Sequence, residues 1–65
     1  SATRTVEGWT AAAMTDRLAV IVNTRTGQRV SVMEGTIIPY VGTVMRIDPG
    51  ARTVVTSLGL IKPTP

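Results

Sequence analysis

The sequence predicts an all-β fold, a small antiparallel β-sandwich or partly open barrel of about six to seven short strands. Three observations carry this. Val, Ile and Thr, whose branched side chains are stiff at χ1 and suit a pleated surface, are abundant. Glycines at 27, 35, 42, 50 and 59 recur every seven to nine residues, the spacing of short strands joined by tight turns. Between them, apolar and polar residues alternate with a period of two.

Element by element, Arg4 to Trp9 is the first strand candidate, with Arg4, Val6 and Gly8 on one face and Thr5, Glu7 and Trp9 on the other. Thr10 to Thr15 is ambiguous. Its Ala-Ala-Ala-Met favours helix by propensity, but so short a segment makes a marginal helix. It reads as a continuing extended arm, with one helical turn as the alternative. Arg17 to Thr24 is the strongest strand, apolar on both faces and therefore expected at the centre of a sheet.

Asn23 to Gln28 reads as a hairpin connection with Gly27 at the positive-φ position. Gln28 to Met33 returns antiparallel, Val30 and Val32 inward, Arg29 and Ser31 outward. Gly35 is expected in a left-handed turn, after which Ile37 and Ile38 re-enter the core, and Pro39 holds Ile38 extended and ends pairing. Tyr40 to Ile47 is the next strand, with Gly42 as a bulge or close backbone approach. Asp48-Pro49-Gly50 is a turn, Asp48 bonding the backbone and Gly50 taking the left-handed position. Arg52 to Ser57 follows, Val54 and Val55 covering both faces, and Leu58 to Ile61 closes the domain. The expected organisation is an edge or linker at 1–3, one domain over 4–61, and an exit linker at 62–65.

Composition narrows the function. Sixty-five residues hold one domain with a thin core, burying roughly 60% of the surface that the unfolded chain exposes. Cysteine and histidine are absent, which removes disulfides, Cys/His metal sites and Cys–His or Ser–His nucleophile pairs. Of the four carboxylates, Asp16 and Asp48 sit in turns, Glu7 on a strand, and Glu34 beside Gly35, where it could accept backbone N–H bonds. Nothing pairs them for acid–base work, and no phosphate-cradling glycine motif is present. The expectation is a non-enzymatic domain with no cofactor and no metal.

The longest apolar run, Leu18 to Val22, is far short of the ~20 residues of a membrane helix. Seven basic residues against four acidic give a net charge of +3. Six of the seven are arginines scattered along the chain, which suits outward strand positions that blunt edges. A nucleic-acid groove fits less well, because only Trp9 and Tyr40 could stack on bases. Trp9 is expected to cap one end of the core, or, if partly exposed, to anchor a partner; Tyr40 divides between core and rim.

One ordered set goes further: Val6-Glu7-Gly8-Trp9, then Arg17 to Val22, then Thr26 to Pro39, then Tyr40 to Thr56. This resembles the PilP-type biogenesis proteins of type IVb pili and, more distantly, the homology region of the type II secretion protein GspC. Gly27, Val30, Val32, Gly35, Ile38, Pro39, Val44, Ile47 and Asp48 fall on that family's scheme, over roughly Val6 to Leu58. Thr36 stands where the family usually has Asp, and Tyr40-Val41-Gly42 replaces a glycine-rich loop.

The resemblance implies a periplasmic scaffold domain, tethered to the inner membrane by an N-terminal part of the full-length protein. It would dock on the N-terminal periplasmic domain of the outer-membrane secretin and on inner-membrane pilus assembly proteins. By position it points to the first strand as the partner-binding element: Arg4, Val6, Glu7, Gly8 and Trp9. Rival expectations are a structural β domain of a phage or conjugation assembly and a small barrel binding nucleic acid.

Overall fold

The computed structural model describes residues 4–65 and is all-β, with seven strands in two antiparallel sheets. The strands are β1 (Trp9–Met14), β2 (Ala19–Asn23), β3 (Arg29–Val32), β4 (Ile37–Ile38), β5 (Gly42–Asp48), β6 (Thr53–Thr56) and β7 (Gly59–Ile61). One sheet runs β1-β2-β3 and the other β4-β5-β6-β7. Every ladder joins chain neighbours, so short turns alone set the topology.

β2 is the centre of its sheet, as its two apolar faces require. Ala19 and Ile21 are fully buried on one face, while Val20 and Val22 are half-buried on the other. Ala19 and Ile21 share a single core with Val32 of their own sheet, with Val44, Val54 and Ile61 of the other, and with Ala11, Ile38, Val41 and Ile47. The hairpin after β2 is fixed by Asn23, whose Oδ1 accepts the Arg25 and Thr26 N–H groups at 2.9 and 3.2 Å. Gly27 and Gly35 both take the positive φ their turns demand, at 79° and 90°.

Four expectations are corrected. Arg4 to Gly8 is not a ladder strand: only Thr5 bridges, in parallel, to Leu60, and Glu7-Gly8 turn before β1 begins at Trp9. Thr10 to Thr15, read as a continuing extended arm, is extended, Thr10 to Met14 carrying β1 on from Trp9. Its helix propensity yields because β2 on one side and residues 62–64 on the other satisfy its backbone groups.

Residues 62–65 do not leave as a linker. The Ala11 N–H donates to the Lys62 carbonyl at 2.8 Å and the Thr64 N–H to the Ala11 carbonyl at 2.9 Å, so this segment covers the outer edge of β1. Ile37 does not enter the core: it is 76% exposed, whereas Ile38 is buried. Successive strand residues point to opposite faces, so only one of the two could go in.

In the Pro49–Arg52 turn the left-handed residue is Arg52 (φ 57°), not Gly50. Asp48 still bonds the turn, its Oδ1 accepting the Ala51 N–H at 3.2 Å. Gly42 is a close approach, since a β-carbon there would collide with the Ser57 hydroxyl. The bulge of β5 lies instead between Val44 and Arg46.

Candidate docking site

The two sheets are stitched on one side and parted on the other. On the stitched side, the Leu60 N–H donates to the Arg4 carbonyl and the Val6 N–H to the Leu60 carbonyl, both at 2.7 Å. Together with the bonds between Ala11 and residues 62–64, these cover the outer edges of β7 and β1. On the parted side β3 ends one sheet and β4 ends the other, and no backbone hydrogen bond joins them among the described residues. A cleft of about 340 Å³ lies there, with Val30 on one wall, Ile37, Ile38 and Pro39 on the other, and Trp9 and Tyr40 also lining it. Trp9 and Tyr40 continue into a second depression against Glu7, Gly8 and Arg25.

Tyr40 is held in an unusual way. The Val41 N–H donates to the Ile38 carbonyl at 3.0 Å, closing a four-residue turn with Pro39 at its second position and Tyr40 at its third. Proline fixes its own φ near −65°, and Tyr40 has φ 66°, which makes this a type II turn. Its third position normally takes Gly or Asn, because a β-carbon there costs roughly 1–2 kcal/mol. Tyr40 bears that cost while its side chain is fully exposed, so no packing contact within the domain offsets it. Val41 is buried immediately after, and that burial anchors the turn from below.

The five residues expected to bind a partner are split by the fold. Glu7, Gly8 and half-buried Trp9 reach the aromatic end of the cleft, where the Thr24 N–H bonds the Gly8 carbonyl at 2.9 Å. Arg4 and Val6 are on the stitched side, their backbones engaged by Leu60 and the Val6 side chain packed on the core. The first strand therefore offers no open edge. Trp9 neither caps the core completely nor stands free: it packs on the core with one part and lines the cleft with the rest.

Sequence reading missed Ile37, Tyr40, Arg25 and Arg29 as a group. The signal for Ile37 was available, since an adjacent Ile37-Ile38 pair on a strand must present one member outward. In the turn beside Glu34 it is Thr36 Oγ1 that accepts a backbone bond, from the Met33 N–H at 3.1 Å.

No protein-family model matches this chain, and no curated protein or solved structure does. Exposed apolar and aromatic side chains beside unpaired strand edges suit contact with another chain, because aromatics give large contact area at low entropy cost.

Proposed function

We propose that this chain is a non-catalytic protein–protein docking domain whose contact surface is the cleft end where Trp9, Ile37 and Tyr40 gather. The observation that carries this reading is Tyr40. A bulky residue that strains the backbone and packs on nothing within its own domain is explained by a contact outside it.

The setting we propose is a type IV pilus biogenesis machine or a related type II secretion machine, in the periplasm. There the domain would link the inner-membrane assembly to the outer-membrane secretin. This part rests on the ordered residues from Val6 to Leu58 alone. Glu7, Gly8 and Trp9 fit both lines of support, being in the resembling first segment and at the cleft.

The test is an NMR titration of the labelled domain with the N-terminal periplasmic domain of a type IV pilus secretin. Shifts concentrated at Glu7, Gly8, Trp9 and Tyr40 are expected. Unchanged spectra at several hundred micromolar partner would remove the pilus setting.

A further inference from the structure

The parted side of the fold has a direction built into its backbone. The Asn23 N–H donates to the Gln28 carbonyl at 2.8 Å. Along the β2–β3 ladder, bonded and non-bonded pairs then alternate, so Ile21/Val30 and Ala19/Val32 exchange hydrogen bonds. Arg29 and Ser31 consequently turn their N–H and C=O groups away from β2, towards the open edge. The same alternation on the other flank of β2 turns Ala11 outward, and there Lys62 and Thr64 bond it.

At β4, Ile37 lies opposite Thr43. Thr43 spends its backbone on Ser57, its carbonyl accepting the Ser57 N–H at 2.9 Å and its N–H donating to Ser57 Oγ at 3.0 Å. Ile37 therefore also turns its backbone outward. Among the described residues, the outward groups of Arg29, Ser31 and Ile37 have no backbone partner.

The cleft between these edges holds about 340 Å³. A helix bonds its own backbone N–H and C=O groups internally, so only an extended segment can pair the outward groups of Arg29, Ser31 and Ile37. Charge selects further. Arg25 and Arg29 are exposed on the β3 wall and its hairpin, and the one ion pair within 4.0 Å among the described residues is Arg46–Asp48, elsewhere. Glu7 lines the same depression as Arg25 but lies beyond ion-pair distance. A second copy of this chain would bring like charges together, whereas an acidic strand would pair them.

We infer that this cleft takes an extended acidic segment of a partner protein by strand addition to β3. Its apolar side chains would point inward against Val30 and Ile38, and its alternate carboxylates outward beside Arg29 and Arg25. The inference rests on the docking reading in taking the partner to be a protein, and adds how that partner is held.

The probe is a fluorescein-labelled peptide of alternating Val and Asp, seven residues long, with its Val/Lys counterpart as control. On the whole chain, the Asp peptide is expected to bind at least tenfold more tightly than the Lys peptide and to shift the Arg29 and Ser31 amides. Ser31→Pro removes an outward N–H and spares the β2–β3 ladder. It should melt within a few degrees of the parent and lose at least tenfold in binding. If Ser31→Pro does not fold, Arg29→Glu decides, with the peptide preference expected to reverse.

The inference is overturned if the Asp peptide at millimolar concentration leaves the Arg29 and Ser31 amides unshifted. It is equally overturned if folded Ser31→Pro binds undiminished, or if sedimentation shows a dimer that Ser31→Pro abolishes. Shifts at other residues with the secretin domain, and none with the peptide, would defeat the strand-addition mode while leaving docking intact. Peptide binding without a secretin response would do the reverse.

Discussion

Gly59 passes so close to Arg4 that a β-carbon on Gly59 would stand 2.5 Å from the Arg4 carbonyl oxygen. That same oxygen takes the Leu60 N–H, so the first described residues are laid against β7 where only a glycine lets the two backbones meet. Gly59 also has φ 148°, so an added side chain is strained as well as crowded. Gly59→Ala is expected to cost about 1–3 kcal/mol, on the scale of a forced backbone outlier. In a domain this small, 1 kcal/mol moves the melting temperature by roughly 4–8 °C. Calorimetry should show that drop, and hydrogen exchange should quicken first at Val6 and Leu60. An unchanged Val6 amide would disprove the link.

Tyr40 and Arg52 are the two non-glycine residues at positive φ among those described. Both are exposed, so replacing either with Gly forfeits little packing. Relief of roughly 1–2 kcal/mol is partly offset by the extra freedom glycine gives the unfolded chain. Tyr40→Gly and Arg52→Gly should each raise stability by about 0.5–1 kcal/mol in urea melts. Their functional effects should diverge. Tyr40→Gly weakens partner binding while the protein melts higher, whereas Arg52→Gly leaves binding alone.

The core leaves little margin. Ile21 is fully buried at the centre of the middle strand. Ile→Ala in such a place costs about 2–5 kcal/mol, and a chain of this length has about 3–10 kcal/mol in all. Ile21→Ala should therefore be largely or wholly unfolded at 37 °C by circular dichroism. Ile37→Ser, at an exposed position, should melt within about 0.5 kcal/mol of the parent.

Ending the chain at Ile61 tests the role of the last four residues. It removes the two backbone bonds to Ala11 and the 3.0 Å bond from the Thr64 hydroxyl to Thr10 Oγ1, and it bares the outer edge of β1. At about 1 kcal/mol net per bond, a loss of about 2–3 kcal/mol is expected. The shortened chain should also self-associate more readily, which light scattering would detect. A free linker would give neither effect.

How much of this was legible beforehand varies by element. The Asn23-to-Gln28 hairpin and the Asp48 turn were readable because their bonds are local: Asn23 Oδ1 and Asp48 Oδ1 each reach backbone only two or three residues away. The proposed docking surface was not, because it depends on which edges stay unpaired. Reading Arg4 to Trp9 as an open strand failed for that reason: Leu60 takes up the backbone around Thr5, across the whole length of the chain.

The sequence by itself determined that this chain is all-β, where β2, β3, β5 and β6 fall, and that Val32 of β3 points inward. Period-two patterning and turn chemistry act over a few residues and need no distant partner. The tertiary structure alone decided that residues 4–6 and 62–64 stitch one side and that β3 and β4 stay parted on the other. It also sent Ile37 and Tyr40 outward beside Trp9. A backbone group's partner lies across the fold, and no local pattern in Arg29, Ser31 or Ile37 says whether that place is filled.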